Sequence, residues 1–242
     1  MVRQERAIRT RQTILEAAAD VFDELGYEAA TISEVLKRAG VTKGALYFHF
    51  PSKEELAQGV LLEQVRALPV TPEQGLVMQQ LLDESLLLAH LLLRDSGNPI
   101  VRGAVRLTVD QGLPKDGLDR RAPMREWENH VLEVLRKAQE QGEITPRVDL
   151  VRLGKLLIGG FTGVQVLSNI MTDRSDLPER VSDLYRYLMP SITAPGVAAQ
   201  MDFDPGRGRQ ILEESTRSRR QRQADQGAQG VEGVQAVQAE PV

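Results

Sequence analysis

The chain has 242 residues, 41% hydrophobic and 26% charged, with a formal net charge of −4. That is ample for a sizeable core in one large domain or two unequal ones. It contains no cysteine, which excludes a disulfide framework, a thiolate metal site and a cysteine nucleophile, and fits a reducing cytoplasm.

The N-terminus carries Arg3, Arg6, Arg9 and Arg11 against Glu5 alone, with no apolar stretch behind them, so no secretory signal is expected. Lys37, Arg38, Lys43 and Lys53 follow, which makes the basic character local to this end despite the acidic total. Ile14, Ala18, Val21, Phe22 and Leu25 form one helical stripe that Gly26 should stop. Thr31-x-x-Glu34 is a capping box opening a short helix that ends at Gly40. Thr42 can cap a third helix, and Ser52-x-x-Glu55 opens a fourth that Pro69 ends.

The later helices are longer. Thr71-Pro72-Glu73-Gln74 reads as the start of a fifth, running through LLLAHLLL to about Arg94. Asn98-Pro99 starts another, 110–123 reads as a loop, and a long helix from about Met124 is stopped by Gly142. Asp149 caps the next, and Pro178 opens one ending near Pro190. No convincing strand appears, so the fold class is all-α. The longest uncharged run, 156–172, holds three glycines with Gln165, Ser168 and Asn169, which places it below a membrane span and among buried or subunit-facing helices. Beyond Phe203 the chain lacks aromatics and turns Arg-, Gln- and Gly-rich, the composition of a disordered extension. The domains read as 1–52, 53–203 and a tail from 204 to 242.

In the segment 41–56, VTKGALYFHFPSKEEL, Lys43, Gly44, Tyr47 and Phe48 fall within an arc of roughly 140° of a helix. Leu46 faces the other way, toward the preceding helices. A short helix showing water two aromatics needs a cover, and the DNA major groove supplies one: lysine reaches guanine or phosphate, and apolar groups meet thymine methyls. Gly44 permits close backbone approach, and the cap hydroxyls of Thr31 and Thr42 sit where helix N-termini attract phosphate. Two helices meeting at a short turn is the helix-turn-helix pattern. The alternative, core packing, is accepted for Phe50.

TISEVLKRAGVTKGALYFHFPSKEEL, 31–56, resembles the DNA-binding signature of TetR-type bacterial regulators, and the first helix extends the likeness. The segment from Pro123 to Trp127, AQEQGEITPRVD from Ala138 and LIGGFTGVQVLSNI from Leu157 are similar to γ-butyrolactone autoregulator receptors within that family. The resemblance implies a homodimeric repressor of pseudo-palindromic operator DNA, released by a small neutral lactone-type hormone. It implies a DNA-binding set of Arg6, Thr31, Thr42, Lys43, Gly44, Tyr47, Phe48, His49 and Lys53, and subunit contact through the helices after Asp149 and Pro178. Intramolecular packing is the alternative use of those two helices.

Trp127, the only tryptophan, offers a flat apolar wall and one N–H donor amid strongly aliphatic sequence. A core tryptophan under a loop is the other reading. Leu81, Leu88 and Phe161 supply apolar lining, and Gln64 and Thr162 are the polar groups aimed at a ligand; a structural role remains open for each. His90, His49 and His130 read as neither metal ligands nor catalytic bases. No catalytic constellation, phosphate loop or metal spacing appears, so neither an enzyme nor a cofactor is expected. Two alternatives stand beside the receptor: a sister regulator sensing an antibiotic or precursor, and a helical carrier or scaffold that does not read DNA. Such sisters tend to be basic, whereas the pI of about 5.6 favours a receptor.

Overall fold

The computed structural model describes residues 2–109 and 116–218. Ten helices bear names: α1 Val2–Ala29, α2 Ile32–Ala39, α3 Lys43–His49, α4 Lys53–Ala67, α5 Val77–Leu91, α6 Pro99–Val109, α7 Arg121–Glu140, α8 Leu150–Thr172, α9 Leu177–Ile192 and α10 Val197–Gln200. A final helix, α11, spans 207–218. Among the described residues the only β pairing is an isolated bridge between Ile144 and Thr193.

The N-terminal caps act as their sequence signals. Thr31 Oγ1 accepts from Glu34 N, Thr42 Oγ1 from Ala45 N and Ser52 Oγ from Glu55 N, at 3.1–3.2 Å. Gly40 closes α2 in the left-handed region, φ 64°, where glycine carries no Cβ penalty. Gly26 does interrupt α1 (φ 73°, ψ 170°), but one further turn follows to Ala29.

Two apolar cores result. The first gathers Ile14, Phe22, Val35, Leu46, Phe50, Leu56 and Leu61 from α1–α4, together with Ile100, Ala104 and Leu107 of α6. The second is built from α5, α7, α8 and α9. The cores do not divide at residue 52, because α4 and α6 complete the first. α6 lies hard on α1: a Cβ at Gly103 would stand 2.7 Å from Ala19 Cα.

Three expectations change. α5 begins at Val77 rather than after Thr71, because the Glu143 carboxylate reaches its N-terminus and accepts from Val77 N and Met78 N, both at 2.8 Å. A buried tertiary cap outweighs the local Thr-Pro-Glu-Gln signal. α5 also ends early, at Leu91, where Asn98 N donates to Leu91 O at 2.8 Å. α7 starts at Arg121 because Asp119 Oδ1 accepts from Arg121 N and Ala122 N. Pro123 then sits in the first turn, where its missing N–H leaves no bond unmade. Residues 110–115 of the expected loop lie outside the described residues.

Part of the expected extension is ordered: residues 207–218 are helical, while 219–242 lie outside the described residues. Arg207 bridges both carboxylate oxygens of Asp83 at 2.6 and 2.7 Å, and Asp83 has no exposed surface. Gly208 packs directly on the Leu86 carbonyl and Ile211 is buried. Arg207→Leu leaves a buried carboxylate unpaired and should destabilise the protein by about 3–5 kcal/mol. Urea unfolding checks this, and adding Asp83→Leu should restore part of the loss.

Candidate functional site

At the N-terminal end, α3 buries Leu46 completely and leaves Phe48 80% and Tyr47 40% exposed. Lys43 and Gly44 are also exposed. The Lys43 ammonium stands 5.8 Å from the Tyr47 ring centroid, and His49 meets the edge of Phe48 at 5.0 Å between centroids. Arg6, Thr31 and Thr42 are exposed alongside. Lys53 is placed differently: its ammonium donates to Glu28 O (3.3 Å) and lies 4.5 Å over the Tyr27 ring. Burial there holds its pKa below the usual lysine value, so it braces the turn after α3 and is less available than Lys43.

The second core borders a partly open cavity of about 570 Å³ between α4, α5, α6, α7, α8 and α9. All six residues expected to meet a ligand line it: Gln64, Leu81, Leu88, Trp127, Phe161 and Thr162. Their spacing explains the convergence. Leu81 and Leu88 lie two turns apart on α5, and Leu157 and Phe161 one turn apart on α8, which puts each pair on one face. Trp127 is only half-buried and meets the edge of His130, with centroids 6.4 Å apart. It forms a wall of the cavity rather than the centre of a core.

The polar groups in this apolar space divide into engaged and free. Thr162 Oγ1 donates to Ile158 O at 2.8 Å, so the hydroxyl retains only acceptor capacity. Tyr185 OH and Ser85 Oγ are 2.7 Å apart, and burial pushes the phenol pKa up to about 12. His130 Nε2 meets Glu84 Oε2 at 2.7 Å, and that bond holds the imidazole above its ordinary value despite burial. Gln64, 2% exposed, has a buried Oε1 with no partner.

Sequence reasoning missed Glu84, Ser85, His130 and Tyr185. Ser85 was visible only as a polar interruption in a leucine run, and His130 pairs across 46 residues, which no local pattern announces. On α9, Tyr185 is buried against Ser85 and does not face outward, whereas Tyr187 stands 81% exposed. Gly160 is likewise used within the chain, where a Cβ would stand 3.3 Å from the Leu184 methyls, whereas Gly159 and Gly163 face open space. α8, 23 residues long with mean hydropathy 1.4, is long and apolar enough to cross a membrane by length and composition, a test that the core helix of a soluble protein also passes. Its apolar surface is divided between the cavity, α9 and an open face carrying Leu167, Ile170 and Met171.

The family of bacterial regulatory proteins of TetR type matches residues 14–60. The A-factor receptor protein of Streptomyces griseus is 39% identical over 201 residues, covering 83% of this chain and 70% of that protein. The chain belongs to the TetR family. Among solved structures, the TetR regulator TylP from Streptomyces fradiae is 58% identical with a TM-score of 0.80, covering 87% of this chain and 99% of that one. A γ-butyrolactone receptor described as ArpA-like is 27% identical with a TM-score of 0.62, covering 86% and 99%. The protein is therefore a DNA-binding transcriptional regulator of all-α fold and not an enzyme.

In this TetR-family chain α6 joins the two ends of the molecule. Val105 and Thr108 line the cavity, while Arg102 donates to Asp23 at 3.0 Å and Asp20 at 3.1 Å on α1. Arg174, from the turn between α8 and α9, adds a 3.7 Å contact to Asp23. Burial raises the Asp20 pKa against the pull of Arg102, and lowers that of Arg174.

The Glu84–His130 pair has a defined pH signature. A raised folded-state pKa stabilises fully below the ordinary imidazole value of 6.5, and that stability is lost as pH rises through the raised value. Glu84→Gln should therefore lower Tm most near about pH 6 and progressively less toward about pH 9. Thermal melts of both proteins across that range check it.

Proposed function

We propose that this protein is a homodimeric, cytoplasmic repressor that leaves its pseudo-palindromic operator when a small neutral lactone of γ-butyrolactone type enters the cavity. The observation that carries the reading is the cavity itself: largely apolar, about 570 Å³, walled by the lone tryptophan, and containing the unpartnered amide of Gln64. In hydrocarbon surroundings the Gln64 Nε2 can donate to a lactone carbonyl, while its unpartnered Oε1 can accept from a ligand hydroxyl. The A-factor receptor and ArpA-like likenesses support the same class. The direct experiment is a mobility-shift assay on the protein's own promoter region with γ-butyrolactones added to the preformed complex. A butenolide, a furan or an antibiotic precursor that alone releases the DNA would redirect the ligand class.

α6 supports a route from ligand to DNA. A ligand pressing on Val105 and Thr108 moves a helix whose backbone lies against α1 at Gly103 and whose Arg102 grips Asp20 and Asp23. α4 adds a second lever, since Gln64 lies on the helix that Ser52 caps directly after α3. A coupling of roughly 1–3 kcal/mol shifts operator affinity about 5–150-fold. The open apolar face of α8 and α9, with Leu167, Ile170, Met171 and Tyr187, favours burial against a second copy of the chain. Two-fold symmetry then sets two α3 helices on matching half-sites.

Lys43→Ala and Tyr47→Ala should each weaken operator binding by about 1–3 kcal/mol at matched salt. Helicity and sedimentation should stay unchanged. Wild-type affinity in either variant removes that residue from the reading surface.

Trp127→Ala should leave operator binding near normal while release by lactone requires much more ligand, because the indole is a cavity wall remote from α3. The same tryptophan should change its fluorescence on lactone titration. Loss of folding and of DNA binding together would mark it as core instead.

A further inference from the structure

The turn between α8 and α9 lies against α1 and is built as a rigid piece. Asp173 (φ 52°) and Arg174 (φ 67°) are the only non-glycine residues in the left-handed region among the described residues. Two such residues in succession persist only where their surroundings hold them. Asp176 provides one hold, accepting from Ser168 Oγ of α8 at 2.6 Å and from Arg180 Nε of α9 at 2.7 Å. Arg94, beyond α5, provides another by donating to Asp173 at 2.6 Å.

This turn delivers a cation to α1. Arg174 is 5% exposed, its Nε has no hydrogen-bond partner, and its guanidinium stands 3.7 Å from Asp23. Asp20, Asp23 and Glu24 share one face of α1 and meet arginines from three elements. Arg38 of α2 donates to Glu24, Arg102 of α6 to Asp20 and Asp23, and Arg174 approaches from the turn. Whereas α6 also walls the cavity, neither Arg174 nor Asp23 lines it. A buried guanidinium with an idle N–H is a poor source of stability. Its effect is geometric: it sets α1 at one position on the α8–α9 turn.

We infer that Arg174 is a positioning residue for operator recognition, holding the DNA-reading unit at one setting on α8 and α9 and so selecting the half-site spacing. This rests on the subunit contact proposed above, in which α8 and α9 meet a second copy of the chain. The placement of α1 on their turn then fixes the distance between the two α3 helices. One base pair added between half-sites shifts them by about 3.4 Å and rotates them by about 35°. A fixed setting rejects that change, and a loosened one tolerates it.

The test uses the full chain and the operator duplex recovered from its own promoter region, with one base pair inserted or deleted at the centre. Wild type should bind both altered duplexes about tenfold or more weakly than the native one, and Arg174→Met should cut that ratio to about threefold or less. Sedimentation of the variant as a dimer should be unchanged. Asp23→Asn removes the same charge pairing while keeping an acceptor for Arg102, should flatten the ratio likewise, and decides the matter where Arg174→Met does not fold. A wild-type ratio in a folded variant overturns the assignment, even where affinity for all three duplexes and Tm fall together, since that marks a structural role alone. A wild-type dimer indifferent to spacing overturns it too, and leaves the subunit contact standing. A wild type that sediments as a monomer overturns both.

Discussion

The constraint on which the molecule depends is the backbone-to-backbone contact between α6 and α1. At Gly103 the two helices approach so closely that any side chain would collide with Ala19. Close-packed interiors have few voids to absorb a shift, so displacing α6 at Gly103 requires α1 to give way as well. The ion pairs from Arg102 to Asp20 and Asp23 lock the same contact against sliding, and Arg174 ties it to the α8–α9 turn. A helix that is core to the DNA-reading end and wall to the cavity makes the two ends of the protein mechanically dependent.

The cavity departs from ordinary packing for a reason that its polar groups reveal. Most interiors fill voids with side chains or satisfy polar atoms internally. Here Gln64 Oε1 is buried without a partner while the hydroxyls of Thr162, Ser85 and Tyr185 are bonded. The unliganded state therefore carries a cost that a ligand with matching polar groups relieves. Around them the walls are anchored firmly: Arg207 and Asp83 fasten α11 to α5, and Glu143 fixes the start of the same helix. Rigid walls and unsatisfied contents are what a selective site requires.

How much was legible depended on the range of the interactions. The turn-helix unit around α2 and α3 could be read from Thr31, Thr42, Ser52 and Gly40 because capping bonds join residues three or four apart. The outward arc of Lys43, Tyr47 and Phe48 follows from helical geometry alone. The six expected cavity residues converge because aliphatic and aromatic side chains at helical spacing must face some interior. Their polar companions were not legible: His130 finds Glu84, and Tyr185 finds Ser85, across chain separations that no local pattern encodes.

Sequence by itself determined the helical class, the short helix α3 and its exposed face, and the apolar character of the C-terminal half, since each depends on short-range periodicity and caps. Only the tertiary structure decided where α5 begins, because a carboxylate from Glu143 replaces the local cap. It alone decided that 207–218 is a helix, because burying Asp83 demands a cation and Arg207 supplies it. It also decided that Gln64 Oε1 stays unpartnered in the cavity. Satisfaction of a buried polar group is a property of the three-dimensional neighbourhood, and a single chain segment does not contain its own neighbours.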